Sequence, residues 1–265
     1  MIRQFSINWP VFIWITVVHL LAAVGLLHPT KKGLVALVTM YVITGLGTSL
    51  GLHRYFSHRS FELPKIASYV LAVMGTLALQ NTILFWVAYH RMHHAYSDTN
   101  DDPHNSKRGF WFSHMGWILM KPTSPIVMSQ KSRFAKDIIA DPFLSWLSKL
   151  PVYLGIQITL IALLWTLFGY EVMMWGVWVR LCVVYHNTWI INSVCHKWGY
   201  RNYETKDCSR NNLIFSISSF GDSFHNNHHA HPESAKHGHH WWELDINWYI
   251  ILLLKKFKIA NTVKF

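Results

Sequence analysis

Histidines stand at metal-ligand spacing at three places in this sequence. His53 and His58 form an H-x4-H pair, and two H-x2-H-H boxes follow at residues 90–94 and 225–229. Because positions i, i+3 and i+4 share one face of an α-helix, each box is predicted to direct three imidazoles at one point. The H-x4-H pair is about 140° out of phase on an α-helix, so we expect it to lie across a helix end.

His196 adds a ninth candidate ligand, and Asn192 precedes it by one helical turn on the same face. Imidazole suits iron, copper, zinc and nickel but does not suit magnesium or calcium. No Glu-x-x-His pair occurs in the sequence, which excludes the soluble carboxylate-bridged bundle. The pattern therefore predicts two iron ions with four or five nitrogen ligands each. The predicted ligands are His53, His58, His90, His93, His94, His196, His225, His228 and His229.

The remaining histidines and the cysteines carry no such pattern. His19 lies alone in an apolar segment, and four others have no partner at ligand spacing, namely His28, His104, His114 and His186. Residues 231–240 hold four more histidines and are predicted to form a solvated loop. The three cysteines show no C-x-x-C spacing and are interpreted as small buried hydrophobes; they are Cys182, Cys195 and Cys208.

Long apolar segments must position these histidines. Apolar residues make up 51% of the 265 residues and charged residues 14%, against about 25% charged in ordinary soluble domains. Four apolar segments approach the ~20 residues that a helix needs to cross a bilayer. They are residues 10–27, 33–52, 152–168 and 172–194. Arg180, inside the last segment, is expected to extend toward the far membrane interface. The sequence therefore predicts an all-α membrane protein with four transmembrane helices.

The distribution of basic residues predicts how the chain is oriented. Most Lys and Arg fall between residues 53 and 150 or after residue 196, and four crossings place both regions and both termini on one side. The positive-inside rule makes that side cytoplasmic. Residues 1–265 then form one multi-pass domain whose cytoplasmic helical cap holds the histidines; in a bacterium it would lie in the inner membrane. A net charge of +11 on so apolar a chain favours the lipid bilayer or an acidic protein as partner, not nucleic acid.

The combination of motifs resembles the integral-membrane fatty-acid desaturases, in particular their Δ9 branch of stearoyl-CoA and bacterial acyl-lipid enzymes. The resemblance runs from about Gly51 to Asp245. Besides the H-x4-H pair it rests on Gln80–Asn81, His90–His94, Asp102–Phe110, Ser113–Trp117, Asn187–Ser193 and Gly221–His229. An H-x4-H first box favours desaturases over sterol-type oxidases, which more often show H-x3-H.

The resemblance implies a mushroom-shaped fold with a di-iron centre, in which Asn192 reaches one iron through water. It also implies a hydrophobic acyl tunnel that bends beside the metals. The substrate-binding residues that it implies are Gln80, Asn81, Trp86, Lys107, Arg108, Thr188 and Trp189. The implied reaction uses O2 and two electrons to insert a cis double bond, at Δ9, into a saturated fatty-acyl chain.

Several points stay open at the level of sequence. A hydroxylase or ketolase would retain the same boxes. A metal transporter is a remote alternative, because transporters bind their cargo near the bilayer midplane, whereas these boxes lie at the ends of the apolar segments and in the cap. A membrane lipid is slightly favoured over coenzyme A as the acyl carrier, since Ala88 and Tyr89 stand where animal acyl-CoA desaturases carry an Arg-Asp pair. The sequence has no dinucleotide fingerprint, iron–sulfur cysteine cluster or evident haem domain. A separate electron donor is therefore predicted, such as a ferredoxin or a cytochrome b5-like protein.

Overall fold

The computed structural model describes residues 6–121 and 131–265, which are helical and contain isolated β-bridges but no strand. The principal helices are α1 (Trp9–Leu26), α2 (Lys31–Gly45, continued by the π-helix Leu46–Ser57), α3 (Lys65–Thr76), α4 (Ile83–Tyr96), α5 (Leu150–Phe168), α6 (Tyr170–Met173, the π-helix Met174–Val179 and Arg180–Ser193), α7 (His225–Ala230) and α8 (Ile246–Lys256). Shorter helical segments between them are Ser106–Arg108, Phe112–Gly116, Trp117–Leu119, Lys131–Phe134, Lys136–Ala140, Pro142–Leu147 and Val194–His196.

Three of the described helices are long and apolar enough to cross a membrane. They are α1, α2 with its π-helical continuation, and α5. The fourth predicted segment lies in α6, which falls short of that apolar composition because it carries Arg180, His186 and Asn187. The prediction of an all-helical protein with several apolar helices is therefore confirmed, whereas the number of crossings stays a prediction.

α6 is packed inside the helices that surround it. Both α1 and α2 contact its π-helical part, and its residues Val177, Leu181 and Tyr185 are buried. α3 packs along the π-helical part of α2, where the two backbones approach closely at Gly47. A Cβ atom at Gly47 would lie 2.2 Å from the backbone nitrogen of Gly75, so only glycine fits there. These contacts fix the end of α2, from which the first histidine pair projects.

The prediction that Arg180 extends to the membrane interface is wrong. Its side chain is completely buried, and its guanidinium donates to the carbonyl oxygens of Gly176 and Leu77 and to the hydroxyl of Thr44. Leu77 caps the carboxyl end of α3, where carbonyl groups carry partial negative charge. The cation is therefore solvated by backbone carbonyls inside the protein and does not need to reach water.

Candidate metal centre

The first histidine pair lies across the end of the π-helical continuation of α2, as predicted: His53 is inside the helix and His58 is its C-cap residue. In a π-helix the backbone hydrogen bond joins residues i and i+5. The amide of His58 donates to the carbonyl of His53 over 3.2 Å, so the two residues are stacked one π-turn apart. An H-x4-H spacing that is out of phase on an α-helix is thus in phase here, and both imidazoles face the same side.

The two H-x2-H-H boxes lie on α4 and on the short helix α7, and each box is divided between two clusters. In α4, His90 and His94 belong to one cluster and His93 to the other; in α7, His225 and His229 stay together while His228 leaves them. The prediction that each box directs its three imidazoles at one point is therefore wrong. The i and i+4 imidazoles point together, whereas the i+3 imidazole is turned far enough to reach the neighbouring cluster.

Nine histidines form these two clusters. Cluster A comprises His53, His58, His90, His94 and His228, and cluster B comprises His93, His196, His225 and His229. Within each cluster the ligand nitrogens all lie within 4.8 Å of one another. The nine side chains predicted from the sequence thus come from four separate segments that the fold brings together.

The spacing of the Nε2 atoms fits a metal ion in each cluster. Neighbouring Nε2 atoms are 2.6–3.0 Å apart in cluster A and 3.0–3.3 Å apart in cluster B. Two nitrogens that bind one ion at about 2.1 Å and at a right angle lie about 3.0 Å from each other. Several unprotonated imidazole nitrogens at this distance repel one another unless a cation lies among them. The donor set thus suits a transition metal at each cluster.

Carboxylates hold the opposite ring nitrogens. In cluster B, three Nδ1 atoms contact aspartates: His93 with Asp102 (3.0 Å), His196 with Asp98 (3.0 Å) and His229 with Asp207 (2.8 Å). In cluster A the corresponding contact is His53 with Asp222, at 3.1 Å. Such a partner fixes the Nδ1–H tautomer, leaves Nε2 free for a metal and makes the imidazole a stronger ligand.

Asp222 also belongs to a buried ion network behind cluster A. Arg54 follows His53 in the sequence and is completely buried. Its guanidinium donates to both carboxylate oxygens of Asp245, at 2.9 and 3.1 Å. The same guanidinium donates to Asp222 at 3.2 Å, and Ser49 donates to its other carboxylate oxygen. Sequence reasoning did not identify these residues, although Asp222 and Asp102 stand inside quoted motifs. The sequence pattern that could have identified them is a carboxylate a few positions from a ligand histidine, and that pattern is too common to be specific.

Burial disfavours the protonated form of most histidines in the two clusters. Burial lowers the pKa of His58, His90, His94, His225 and His228, and the charge of neighbouring imidazoles lowers it further. Burial opposes ionisation of Asp98 and Asp207, but the hydrogen bonds that each carboxyl accepts act against it, and the pKa of both carboxyls is lowered. Asp102 is more deeply enclosed, and burial raises its pKa. Neutral imidazole is the form that binds metal.

Two further histidines touch the clusters. His104 packs against His93 with 4.2 Å between ring centroids, and His237 is completely buried with its ring 4.4 Å from that of His228. The prediction of a solvated loop for residues 231–240 is thus wrong at His237. The chain folds back over α7 at this point because the backbone amide of His237 donates to the buried carboxylate of Asp245.

A cavity borders the clusters and is lined by Trp86, Thr188 and Asn192 together with both polar and apolar residues of α2 and α6. Gln80 joins two of these residues: its amide donates to Thr188 over 2.8 Å, and its oxygen accepts from the Trp86 indole over 3.2 Å. The Trp86 ring also stacks on His90, 5.2 Å away. Three predicted substrate residues are thus joined in one hydrogen-bonded group beside cluster A.

The other predicted substrate residues lie elsewhere among the described residues. Trp189 packs beside Tyr185 and His186 and does not line the cavity. Asn81 accepts from the amide of Thr82 over 2.9 Å at the start of α4. Lys107 and Arg108 are exposed on a 3-10 turn, with the Arg108 guanidinium 3.5 Å from the Phe112 ring centroid. Their role in binding substrate stays a prediction.

A family model and individual relatives agree on the family to which this chain is similar. The model of the fatty acid desaturase family matches residues 32–253. The chain is 40% identical over 259 residues to the sn-1 stearoyl-lipid 9-desaturase of Synechocystis, covering 97% of this chain and 80% of that protein. It is 45% identical to the enzyme of the same name from Anabaena variabilis, covering 87% and 83%. It is also 42% identical to the icosanoyl-CoA 5-desaturase of Limnanthes douglasii, covering 83% and 61%.

Proposed function

The chain belongs to the fatty acid desaturase family, and from this premise we propose that it inserts a cis Δ9 double bond into saturated acyl chains of membrane lipids. Membership of the family makes it an oxidoreductase that desaturates fatty acids. The position of the double bond, the acyl carrier and the metal are what we propose. The observation that carries it is the convergence of nine Nε2-presenting imidazoles into clusters A and B beside a cavity. The metal would be iron, one ion in each cluster, with O2 as the oxidant.

The residues of the chain position the reacting parts. Iron, when bound, supplies an oxidant strong enough to take hydrogen from an unactivated methylene, which has no acidic proton for a base to remove. The four aspartates hold the imidazoles in the tautomer that presents Nε2. Asn192, which lines the cavity one turn before His196, would contribute through a water molecule. Trp86, fixed by Gln80 and stacked on His90, would hold the acyl chain against cluster A.

The residues at positions 88 and 89 favour a lipid head group over coenzyme A as the acyl carrier. Ala88 is completely buried in α4, so the position that carries a charge in animal acyl-CoA desaturases offers none here and faces no solvent. Tyr89 beside it packs toward Trp117, with ring centroids 6.1 Å apart. A polyanionic carrier would lose two charge-assisted contacts, each worth about 1.5–3 kcal/mol. Among the relatives, the cyanobacterial enzymes are named as lipid desaturases and the Limnanthes enzyme as an acyl-CoA desaturase.

The proposed topology has four crossings, with α6 as the fourth, and a cytoplasmic cap. α6 contacts both α1 and α2, and in the proposed topology these two helices would shield its polar residues from lipid. Both termini would then be cytoplasmic, and in a bacterium the protein would lie in the inner membrane. The excess of Lys and Arg on the cap side would attract an acidic electron donor, a ferredoxin or a cytochrome b5-like protein, in a salt-dependent manner.

The test of the substrate is a side-by-side assay of the enzyme in one membrane preparation, with stearoyl-CoA and with stearoyl phospholipid. The products are analysed by gas chromatography with localisation of the double bond. We expect a Δ9 double bond in the phospholipid, dependent on an added reduced donor. Rapid desaturation of the thioester before label enters phospholipid would contradict the lipid proposal, a hydroxylated product would indicate the related hydroxylase, and turnover with NADPH alone would contradict a separate donor.

The test of the metal ligands uses single alanine substitutions. His90→Ala in cluster A and His225→Ala in cluster B should each abolish desaturation and lower bound iron while leaving membrane insertion unchanged. His231→Ala, outside both clusters, is the matched control and should retain iron and activity. Full activity after combining one substitution from each cluster would contradict the assignment.

A further inference from the structure

A second group of metal-ligating side chains lies between α1 and α6 and uses none of the nine histidines. It consists of His19 on α1 and of Cys182 and His186, which stand one turn apart on the same face of α6. The Nε2 atoms of the two histidines are 3.0 Å apart. Together with the cysteine sulfur, the ligand atoms lie within 4.8 Å of one another.

The protons of His19 can be assigned from its hydrogen bonds. Its Nδ1 atom lies 2.7 Å from the carbonyl oxygen of Ile15. A carbonyl oxygen only accepts, so Nδ1 carries the proton and donates. A neutral imidazole has one N–H group, and the Nε2 atom of His19 therefore presents a lone pair toward His186.

The protons of His186 follow from a chain of contacts that begins at Ser193. The Ser193 hydroxyl donates its single proton to the carbonyl of Trp189 over 2.8 Å. His114 Nδ1, 2.9 Å from the same hydroxyl oxygen, must then be the donor in that contact. Its Nε2 is left as an acceptor for His186 Nδ1 at 3.0 Å. His186 therefore donates through Nδ1 and presents a lone pair at Nε2.

Two lone pairs consequently face each other across 3.0 Å, with a cysteine sulfur beside them. We propose that His19, Cys182 and His186 form a third metal site, which binds one soft, thiophilic ion, with Cu(I) preferred over Zn(II). Each histidine has its second ring nitrogen held by an acceptor, as is usual for histidines that bind metal. The thiol releases its proton to solvent when the metal binds.

Charge decides which ion fits. His19 lies in the apolar helix α1, where an uncompensated charge is costly. One thiolate and two neutral imidazoles bring the charge of a Cu(I) complex to zero, whereas Zn(II) would leave one positive charge. Thiolate and imidazole ligands both accept Cu(I). The lone position of His19 in its segment gave no sequence signal, because its partners are more than 160 residues away on α6.

The test is an anaerobic titration of the purified, iron-loaded enzyme with Cu(I), in competition with a Cu(I)-specific chelator, followed by copper X-ray absorption. We expect one tightly bound ion per chain with one sulfur and two nitrogen neighbours. Cys182→Ser and His19→Gln, made separately so that the test survives misfolding of either, should each weaken binding at least about tenfold. Cys208→Ser, which changes another half-buried cysteine, should bind as the unsubstituted enzyme does.

Two outcomes would overturn the proposal. If the unsubstituted enzyme binds no copper against the chelator, the facing nitrogens share a proton and the group is not a metal site. If both substituted enzymes bind copper as tightly as the unsubstituted one, the ion lies elsewhere, for example at residues 231–240. Iron content is measured in the same samples. The proposal does not rest on clusters A and B, so it can fail while they hold iron, and the reverse.

Discussion

Replacing Asp207 by asparagine should weaken metal binding at cluster B and leave cluster A unchanged. Asp207 accepts from Nδ1 of His229 over 2.8 Å, and its other oxygen accepts from the backbone amide of Ser209 over 2.9 Å. Asparagine keeps the shape and can still accept one hydrogen bond, but it removes the charge. A charge-assisted bond is worth about 1.5–3 kcal/mol and a neutral one about 0.5–1.5 kcal/mol. The difference, about 1–1.5 kcal/mol, corresponds to about a tenfold loss of affinity.

Asp207→Ala should cost more, up to about 100-fold, because it removes the hydrogen bond as well as the charge. The measurement is the release of iron from the purified enzyme to a ferrous chelator, followed as two kinetic phases. One phase should accelerate in the order asparagine then alanine, while the other should not change. Asp141→Asn, the same chemical change at a helix N-cap without histidine partners, is the control. Equal acceleration of both phases, or none in either variant, would refute the role given to Asp207.

Three further predictions concern stability. Burial lowers the pKa of cluster histidines such as His90. At pH values below the usual histidine pKa, the unfolded chain therefore binds more protons than the folded chain. The free energy of unfolding of the metal-free protein should fall from pH 7 to pH 5, as measured by melting in detergent. Gly47→Ala should destabilise by about 1–3 kcal/mol, since its Cβ would meet the α3 backbone, whereas Gly155→Ala, with open space around it, should not. Arg54→Met should leave buried carboxylates unpaired and cost about 3–5 kcal/mol in denaturant melts, while Arg59→Met, at an exposed ion pair, should cost little.

The sequence alone determined the family, the helical class and the nine histidines that the fold brings together. These follow from short-range patterns: apolar length predicts helices, and repeated histidine spacings are rare enough to be specific. The H-x4-H pair shows where such reasoning ends. Its phase was judged for an α-helix, yet the close packing of α2 on α3 accompanies a π-helix, in which five residues nearly complete one turn and the two imidazoles align.

Only the tertiary structure decided how the boxes divide between clusters A and B, because each metal-binding group draws on helices that are distant in sequence. The same holds for the aspartates behind the imidazoles: Asp98 reaches His196 across 98 positions, and no spacing rule links them. Arg180 and His19 show a related limit of the sequence. A polar side chain in an apolar segment has an environment set by the neighbouring helices, and the sequence of its own helix does not contain that information.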